Sequence, residues 1–206
     1  MNAAEADPGR AGYRRSAGSP RGEARRRELL SRVTADLAAH GLVDFSLRRA
    51  ARAAGTTHKV LLYHFDSADD LLAQAMFELR EQRVGKALAA IGTGPAEQTL
   101  AERVRAIWPV LLGDEYLVLA QAIGLTIYDP ARYRELGRSA AEQYLTALVG
   151  ICPPQWTEGR KAEVAEMVMA AMQGFVIDSL IRGNRTGPEA GLEALARALD
   201  REEAAG

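Results

Sequence analysis

The chain has 206 residues, of which 48% are hydrophobic and 26% are charged, and its formal net charge is −1. This composition is ordinary for a soluble globular protein of one or two domains. Cys152 is the single cysteine, which excludes an intramolecular disulfide and favours a reducing, cytoplasmic location.

Residues 1–21 are predicted to be a disordered basic arm. Met1 to Pro20 contain almost no large apolar side chain, so burial cannot offset the entropy of ordering them. They also lack the apolar core of a secretory signal. Two interpretations stay open for the arginines of this arm: a solvated tail, or an arm that touches DNA phosphates or the minor groove.

Three short helices are predicted to follow the arm and to share one small core. Helix one covers Glu23 to His40 and is closed by Gly41, with an apolar stripe at helical spacing. The side chains that we expect to fill this core are Leu30, Val33, Leu37, Phe45, Leu47, Leu61 and Phe65.

The next two helices are predicted from their caps and from a tight turn. Ser46 is a fitting N-cap for a helix from Leu47 to Ala54, and Gly55 can end it with a positive φ. Thr57 then caps a second short helix. Two short helices joined by so tight a turn are typical of a helix-turn-helix.

A third cap at Ser67, with Asp69 and Asp70 in the first turn, starts a long helix that runs to about Ile91. The helix has no internal breaker, so we expect it to link the N-terminal helices mechanically to the rest of the chain. The remaining segments predict further helices separated by Gly, Pro and Asp, with no strand pattern. The first of these helices is predicted to begin at Pro95, and the last to run through Leu199. The predicted fold class is all-α, with about nine helices.

The distribution of charge also separates the N-terminal helices from the rest of the chain. Residues 1–65 hold 12 Lys and Arg against 6 Asp and Glu, a net of +6, whereas the remainder holds 14 against 21, a net of −7. Such a division is expected when only the first part faces phosphates.

Residues 54–65, Ala-Gly-Thr-Thr-His-Lys-Val-Leu-Leu-Tyr-His-Phe, followed by Ser67, Asp69 and Leu71, resemble the DNA-binding signature of TetR-family transcriptional repressors. The detailed match covers about a quarter of the chain. Leu62 departs from the usual phosphate-contacting tyrosine, Ala50 from a larger aliphatic residue, and Ala68 from a frequent lysine.

The resemblance implies a helix-turn-helix domain at 22–80, and a ligand-binding and dimerisation domain at 81–206. It also implies a repressor that leaves its double-stranded DNA operator when a small-molecule effector tilts the long Ser67 helix. We expect Thr57, His58 and Lys59 to reach base edges, and Tyr63 and His64 to meet phosphates. The full predicted DNA-binding set is Ser46, Arg48, Thr56, Thr57, His58, Lys59, Tyr63 and His64.

The segment from Thr157 to Arg182 carries apolar residues on more than one face, which is more than one core can bury. Together with the stripe of the last helix, it predicts a homodimer through a four-helix interface. The predicted interface residues are Val168, Phe175, Leu180, Leu192, Leu195 and Leu199.

An effector site is expected between the C-terminal helices, because the resemblance implies a cavity there. Aromatic and methionine side chains would supply its walls and a few hydroxyls. At helical spacing such residues are also ordinary core, and this alternative stays open. The candidates are Trp108, Tyr116, Tyr128, Tyr144, Met167 and Met172.

Two other classes of protein were weighed. An enzyme is disfavoured, because the sequence has no phosphate-binding glycine loop, nucleophile elbow, zinc cysteine pair or di-iron motif. We therefore predict no catalytic residue, metal or cofactor.

The apolar segment from Tyr116 to Tyr128 is too short to cross a bilayer, so no membrane partner is expected. The remaining alternative is a helical ligand carrier or interaction protein without DNA binding.

Overall fold

The computed structural model describes residues 19–95, 97–113, 115–183 and 188–205. These residues form nine α-helices and no strand, which confirms the all-α prediction. The helices are α1 (Pro20–His40), α2 (Leu47–Ala53), α3 (His58–His64), α4 (Ala68–Gly92), α5 (Leu100–Leu111), α6 (Tyr116–Tyr128), α7 (Pro130–Gly150), α8 (Glu158–Arg182) and α9 (Glu189–Ala205).

The chain divides into two compact units. The described residues of the first unit are 19–37 and 43–78, and those of the second are 38–42, 79–95, 97–113, 115–183 and 188–205. Both α1 and α4 run from one unit into the other, so the second unit contains the last turn of α1 and the second half of α4.

The first unit is a small helical core around α2 and α3. Its buried apolar side chains come from one face of α1, from both short helices and from the start of α4. Leu30, Phe45 and Leu47, which we expected in this core, are only half-buried, and Leu29 is buried in place of Leu30. The buried set is Leu29, Val33, Leu37, Ala50, Ala51, Ala54, Leu61, Phe65, Leu71, Leu72, Ala75 and Met76.

Helix α1 begins earlier than predicted. The Ser19 hydroxyl accepts a hydrogen bond from the Gly22 amide at 3.1 Å, and Pro20 occupies the first helical position, where its missing N–H costs nothing. Pro20 and Arg21 are therefore helical, which corrects the predicted end of the arm. The rest of the predicted arm, residues 1–18, lies outside the described residues.

The second unit has its own core, formed by α5, the 151–156 loop, α8 and α9. Helix α5 starts at Leu100 instead of near Pro95, because Thr99 and Glu102 form a capping box. The amide of Leu100 also donates to Glu203 at 2.7 Å, which ties the start of α5 to the end of α9. That contact explains why α9 continues to Ala205 beyond the predicted end near Leu199.

Helix α8 is long and apolar enough to cross a membrane by length and hydropathy alone. This high hydropathy comes from two faces of the helix. On the inward face, Val164, Val168, Met172 and Val176 belong to the core of the second unit. The outward face is apolar as well.

Candidate functional site

Side-chain caps fix the starts of the two short helices. The Ser46 hydroxyl accepts from the Arg49 amide at 3.3 Å, and the Thr57 hydroxyl accepts from the Val60 amide at 3.4 Å. Both predicted N-caps are confirmed. The Thr57 hydroxyl is thus engaged by its own helix and has one lone pair and one proton left for another partner.

The turn between α2 and α3 is closed by two backbone hydrogen bonds. The amide of Thr56 donates to the carbonyl of Ala51 at 2.9 Å, and that of Gly55 donates to the carbonyl of Arg52 at 3.1 Å. This pair forms a Schellman motif, which requires a left-handed residue after the helix. Gly55 supplies it with φ of +63°. The predicted sharp turn is confirmed.

Arg26 of α1 holds the far end of α3 in place. Its Nε donates to the His64 carbonyl at 3.1 Å, and another guanidinium nitrogen donates to Gln74 of α4. The guanidinium carbon also lies 4.9 Å from the centre of the Phe65 ring, within the range of a cation–π contact. Arg26 therefore joins three helices.

Two more arginines of the basic region are structural. Arg32 donates to the Ala54 carbonyl at 3.1 Å, which supports the turn from below. Arg49 pairs with Asp36 at 2.7 Å and donates to the Val43 carbonyl at 2.9 Å, and both members of the pair are largely buried. These contacts fix α2 and the turn on α1.

The remaining basic side chains of α2 and α3 point to solvent. Arg48, His58 and Lys59 are exposed, and their side chains have no hydrogen bond or ion pair with any residue that the structure describes. Arg52, one helical turn after Arg48, is exposed in the same way and was not among the predicted residues. Its i+4 spacing from Arg48 was the available signal.

The other predicted DNA-binding residues differ in exposure. Ser46 and Thr57 are exposed at helix starts, whereas Thr56, Tyr63 and His64 are half-buried. The rings of Tyr63 and His64 meet edge to face with centres 4.8 Å apart.

His64 has one buried ring nitrogen. Its Nδ1 has no hydrogen-bond partner among the described residues. Burial lowers the pKa of His64 below its ordinary value, and the positive charges of Arg25 and Arg26 lower it further. The imidazole is therefore neutral at pH 7.

The six predicted effector residues differ in burial. Trp108 and Met172 are buried in the core of the second unit, where the Trp108 ring meets Phe175 edge to face at 6.0 Å. Tyr116 and Tyr144 are half-buried, and Met167 and Tyr128 are exposed, Tyr128 by 88%. Trp108 and Met172 thus belong to the core, and the effector site stays a prediction.

The predicted dimer residues also lie inward. Val168, Leu192, Leu195 and Leu199 are buried in the core of their own chain, and Phe175 and Leu180 pack against that core. Phe175 and Leu180 are half-buried and keep exposed area, whereas the four buried residues keep little. An apolar pattern on more than one face of α8 does not say which face turns inward, so the interface residues stay a prediction.

A different stripe of α8 is exposed. Met167, Ala170, Gly174, Ile177 and Ile181 follow each other at intervals of three and four residues, and all five are exposed. This spacing places them along one side of the helix. Ile181 is 79% exposed.

Residues of the second unit form hydrogen bonds with the end of α1 and with the second half of α4. At the end of α1, Gly41 has φ of +73° and the Leu42 amide donates to the Gln121 side chain of α6 at 2.7 Å. In the second half of α4, Arg80 donates to Gln143 of α7 at 2.7 Å and to Ser139 at 3.3 Å.

The comparisons with known proteins agree on the fold. No protein-family model and no curated protein sequence matches the chain. Among solved structures, the multidrug-binding protein EbrR complexed with proflavin is 20% identical, with a TM-score of 0.63 over 84% of this chain and 98% of its own.

Two solved regulators are similar to the same extent. A TetR-family transcriptional regulator from Cytophaga hutchinsonii is 17% identical, with a TM-score of 0.61 over 85% of this chain and 92% of its own. A TetR transcription regulator from Haloarcula marismortui is 18% identical, with a TM-score of 0.59 over 89% and 98%. The chain therefore has the fold of the TetR-family transcriptional regulators, the family that residues 54–65 resemble.

Proposed function

We propose that this chain is a sequence-specific DNA-binding transcriptional regulator, a repressor that a small-molecule effector releases from its operator. The observation that carries the proposal is the helix-turn-helix of α2 and α3, whose outward basic side chains have no described intramolecular partner. Exposed cations without internal partners suit contact with phosphates and with base edges.

Helix α3 is the recognition helix in this proposal. Its first turn carries His58 and Lys59, and the N-terminal turn of a recognition helix reaches base edges in this docking geometry. We expect the phosphate backbone to be contacted by Arg48 and Arg52 of α2 and by Tyr63 and His64 of α3. The two helices are held in position by Arg26, Arg32 and Arg49, which we do not expect to contact the DNA bases.

The regulator acts as a homodimer through α8. The exposed stripe defined above offers apolar side chains at Met167, Ile177 and Ile181, and small residues at Ala170 and Gly174 that allow close helix approach. Burying an exposed apolar stripe against its copy is favourable, and a two-fold axis makes such a contact self-complementary. Two copies would present two recognition helices to a palindromic operator.

Release by an effector would act on α1 and α4. Both helices begin in the DNA-binding unit and end in the second unit, where Gln121 and the α7 side chains hold them. A ligand that moves these anchors changes α4, which follows the recognition helix directly. The similar fold of EbrR, solved with proflavin, supports a ligand-binding role for the second unit.

Operator selection tests this function. Purified protein is mixed with sheared genomic DNA of its source organism, and the retained fragments are sequenced. We expect a few fragments that share a palindromic motif, and we expect them to be lost with the double variant Arg48→Ala, Lys59→Ala. If wild type and the double variant retain the same fragments, the protein is not a sequence-specific regulator through α2 and α3. If the wild type retains no fragment at all, the helical carrier without DNA binding is the better interpretation.

This function places the protein in the cytoplasm with its DNA, and it requires no catalytic residue, cofactor or metal. Effector identity would follow from the genes beside the retained fragments.

A further inference from the structure

Helix α4 carries two arginines inside the second unit, Arg80 and Arg83. Their exposed fractions are 1% and 5%, and Arg80 is the largest side chain that is fully buried. A guanidinium stays protonated in proteins, so these are two buried positive charges one helical turn apart. A buried charge is costly unless it is paired.

The partners that the structure gives these charges are neutral. Arg80 donates from Nε to the Gln143 side chain at 2.7 Å and from a terminal nitrogen to the Ser139 hydroxyl at 3.3 Å. Arg83 donates from a terminal nitrogen to the Leu111 carbonyl at 2.6 Å, and its buried Nε has no partner among the described residues. Each guanidinium has five N–H donors, so several remain unused.

The nearby acidic groups that the structure describes are engaged elsewhere. Glu81 accepts from the Gln143 amide, and Glu115 pairs with Lys86. Within the described residues, neither carboxylate forms an ion pair with Arg80 or Arg83. Glu81 and Glu115 act on Arg80 and Arg83 only through space, so neither guanidinium has a direct ionic partner among the described residues.

Tyr144 does not neutralise this charge. Burial raises the pKa of its phenol above the ordinary value by more than Arg83 and Arg80 lower it. Tyr144 is therefore a neutral hydroxyl beside two cations. Leu111, Ser139, Gln143 and Tyr144 are all half-buried, so the ring of residues around the guanidiniums is not fully closed.

An apolar core continues from this cluster. Ala87, one turn further along α4, and Leu111, whose carbonyl accepts from Arg83, both pack against the core of the second unit. A ligand that satisfied the guanidiniums would thus meet apolar side chains next to them. One negative charge on a hydrophobic body fits both features, and a carboxylate costs less to desolvate than a phosphate dianion.

We propose that Arg80 and Arg83, with Ser139, Gln143 and Tyr144, form the binding site for the carboxylate of a small hydrophobic acid, and that this acid is the effector. Its role as effector rests on the proposed function, whereas its binding does not. The acid adds charge-assisted hydrogen bonds to α4 itself, the helix that follows the recognition helix. Binding in this way would bias the position of α4 directly.

The test uses DNA-free protein and defined probes: octanoate, decanoate and 1-naphthoate, each with its amide, and inorganic phosphate. Thermal unfolding and calorimetry should show that at least one carboxylate raises Tm while its amide does not. Arg83→Met should weaken that carboxylate about tenfold or more, because it removes charge-assisted hydrogen bonds. Without ligand, Arg83→Met should unfold at the same temperature as wild type or higher, since it removes an unpaired buried charge.

Arg103→Met is the matched control. Arg103 also donates to a backbone carbonyl at 2.6 Å, that of Ile151, but lies away from the cluster on α5. It should leave the carboxylate response unchanged. On wild type, the Nε–H resonance of Arg83 should move with the carboxylate while that of Arg103 stays, and this readout needs no folded variant.

The outcomes are distinct. The proposal is overturned if no carboxylate binds, if the amides bind as well, if phosphate alone binds, or if the Arg83 resonance is unmoved at saturation. Operator affinity is then measured with and without the active carboxylate. A carboxylate that binds at Arg83 in a protein that retains no operator refutes the regulator but not the site. Operator binding that no carboxylate alters refutes the effector role alone.

Discussion

Lys59 and Tyr63 occupy the same helix and are expected to do different work. Lys59 is exposed in the first turn of α3, and Tyr63 is half-buried in the last. Lys59→Ala should change which sequences are preferred and cost about 1–3 kcal/mol at a guanine. Tyr63→Phe removes only a hydroxyl at the backbone and should weaken all sites alike. Binding to a randomised operator library separates the two, and a uniform loss with Lys59→Ala would contradict the assignment to bases.

His64 gives a titration test of the phosphate contact. Burial, Arg25 and Arg26 lower the pKa of His64 in the free protein below the ordinary histidine pKa of about 6.5. In the folded chain, the imidazole therefore takes up a proton at a lower pH than in the unfolded chain. The unfolded chain takes up the proton first, and stability therefore falls as pH drops below that value. A phosphate beside the ring would raise the pKa again.

We therefore predict that operator binding takes up a proton at His64 and tightens as pH falls from about 7 to about 6. Nuclear magnetic resonance of the imidazole, with and without operator, measures both pKa values. His64→Gln is the control and should remove the pH dependence. An unchanged His64 pKa in the complex would exclude the phosphate contact.

Residue roles were predictable from the sequence where one local interaction decides them. Ser46, Thr57 and Gly55 act as predicted because a cap or a turn involves only neighbours in the chain. Arg26 and Arg80 were missed because their partners lie 38 and 63 residues away. An arginine in a sequence is expected at the surface, and only tertiary packing reveals one that is buried.

At the scale of elements, the turn between α2 and α3 sets the direction of α3, the proposed recognition helix. Gly55→Ala places a side chain at φ of +63°, which costs about 1–2 kcal/mol. The new Cβ would also lie 3.2 Å from the Arg32 guanidinium that supports the turn. We predict a lower urea midpoint and weaker operator binding, because the turn and the support are lost together.

Gly85→Ala is the matched control for Gly55. Gly85 lies inside α4, and a Cβ added there meets open space. Because alanine favours a helix over glycine by about 1 kcal/mol, this substitution should raise the midpoint. Equal effects of the two substitutions would show that backbone conformation at Gly55 is not what holds the turn.

Elements whose faces differ were easier to predict than elements that are apolar all round. On α1 the stripe was predicted at Leu30, Val33 and Leu37, and Val33 and Leu37 are buried, with Leu29 in place of Leu30. On α8 the same periodicity fits two opposite faces, so the pattern could not separate Val168, which is inside, from Ile177, which is outside. The start of α5 was missed for a different reason, since Thr99 and Glu102 are weak signals beside Pro95.

At the scale of the molecule, α1 and α4 both pass from the first unit into the second, where residues of the second unit contact their ends. Gln121 receives the end of α1, and the α7 residues Ser139 and Gln143 receive Arg80 of α4. An effector that favours one position of these helices must lower operator affinity by the same factor by which operator lowers its own. The link is reciprocal because both ligands act on one equilibrium.

The dimer contact supplies the last test, and two substitutions on neighbouring helices distinguish the outer stripe from the inner core. Leu195 of α9 is buried in its own chain, so Leu195→Arg places an unpaired charge in the core and should unfold the protein or make it insoluble. Ile181 lies on the stripe and is exposed in a single chain. Ile181→Arg should therefore leave each chain folded.

In a dimer through the stripe, the charge of Ile181→Arg would become buried without a partner, which costs about 3–5 kcal/mol. The dissociation constant should then rise more than about a hundredfold, since each 1.4 kcal/mol is tenfold. Sedimentation at micromolar concentration, with circular dichroism to confirm folding, measures this. Leu88→Arg, at an exposed apolar position of α4 off the stripe, should remain dimeric. If Ile181→Arg stays dimeric while Leu88→Arg dissociates, the chains meet through another surface. A new charge weakens the dimer only where it becomes buried in the contact between the two chains.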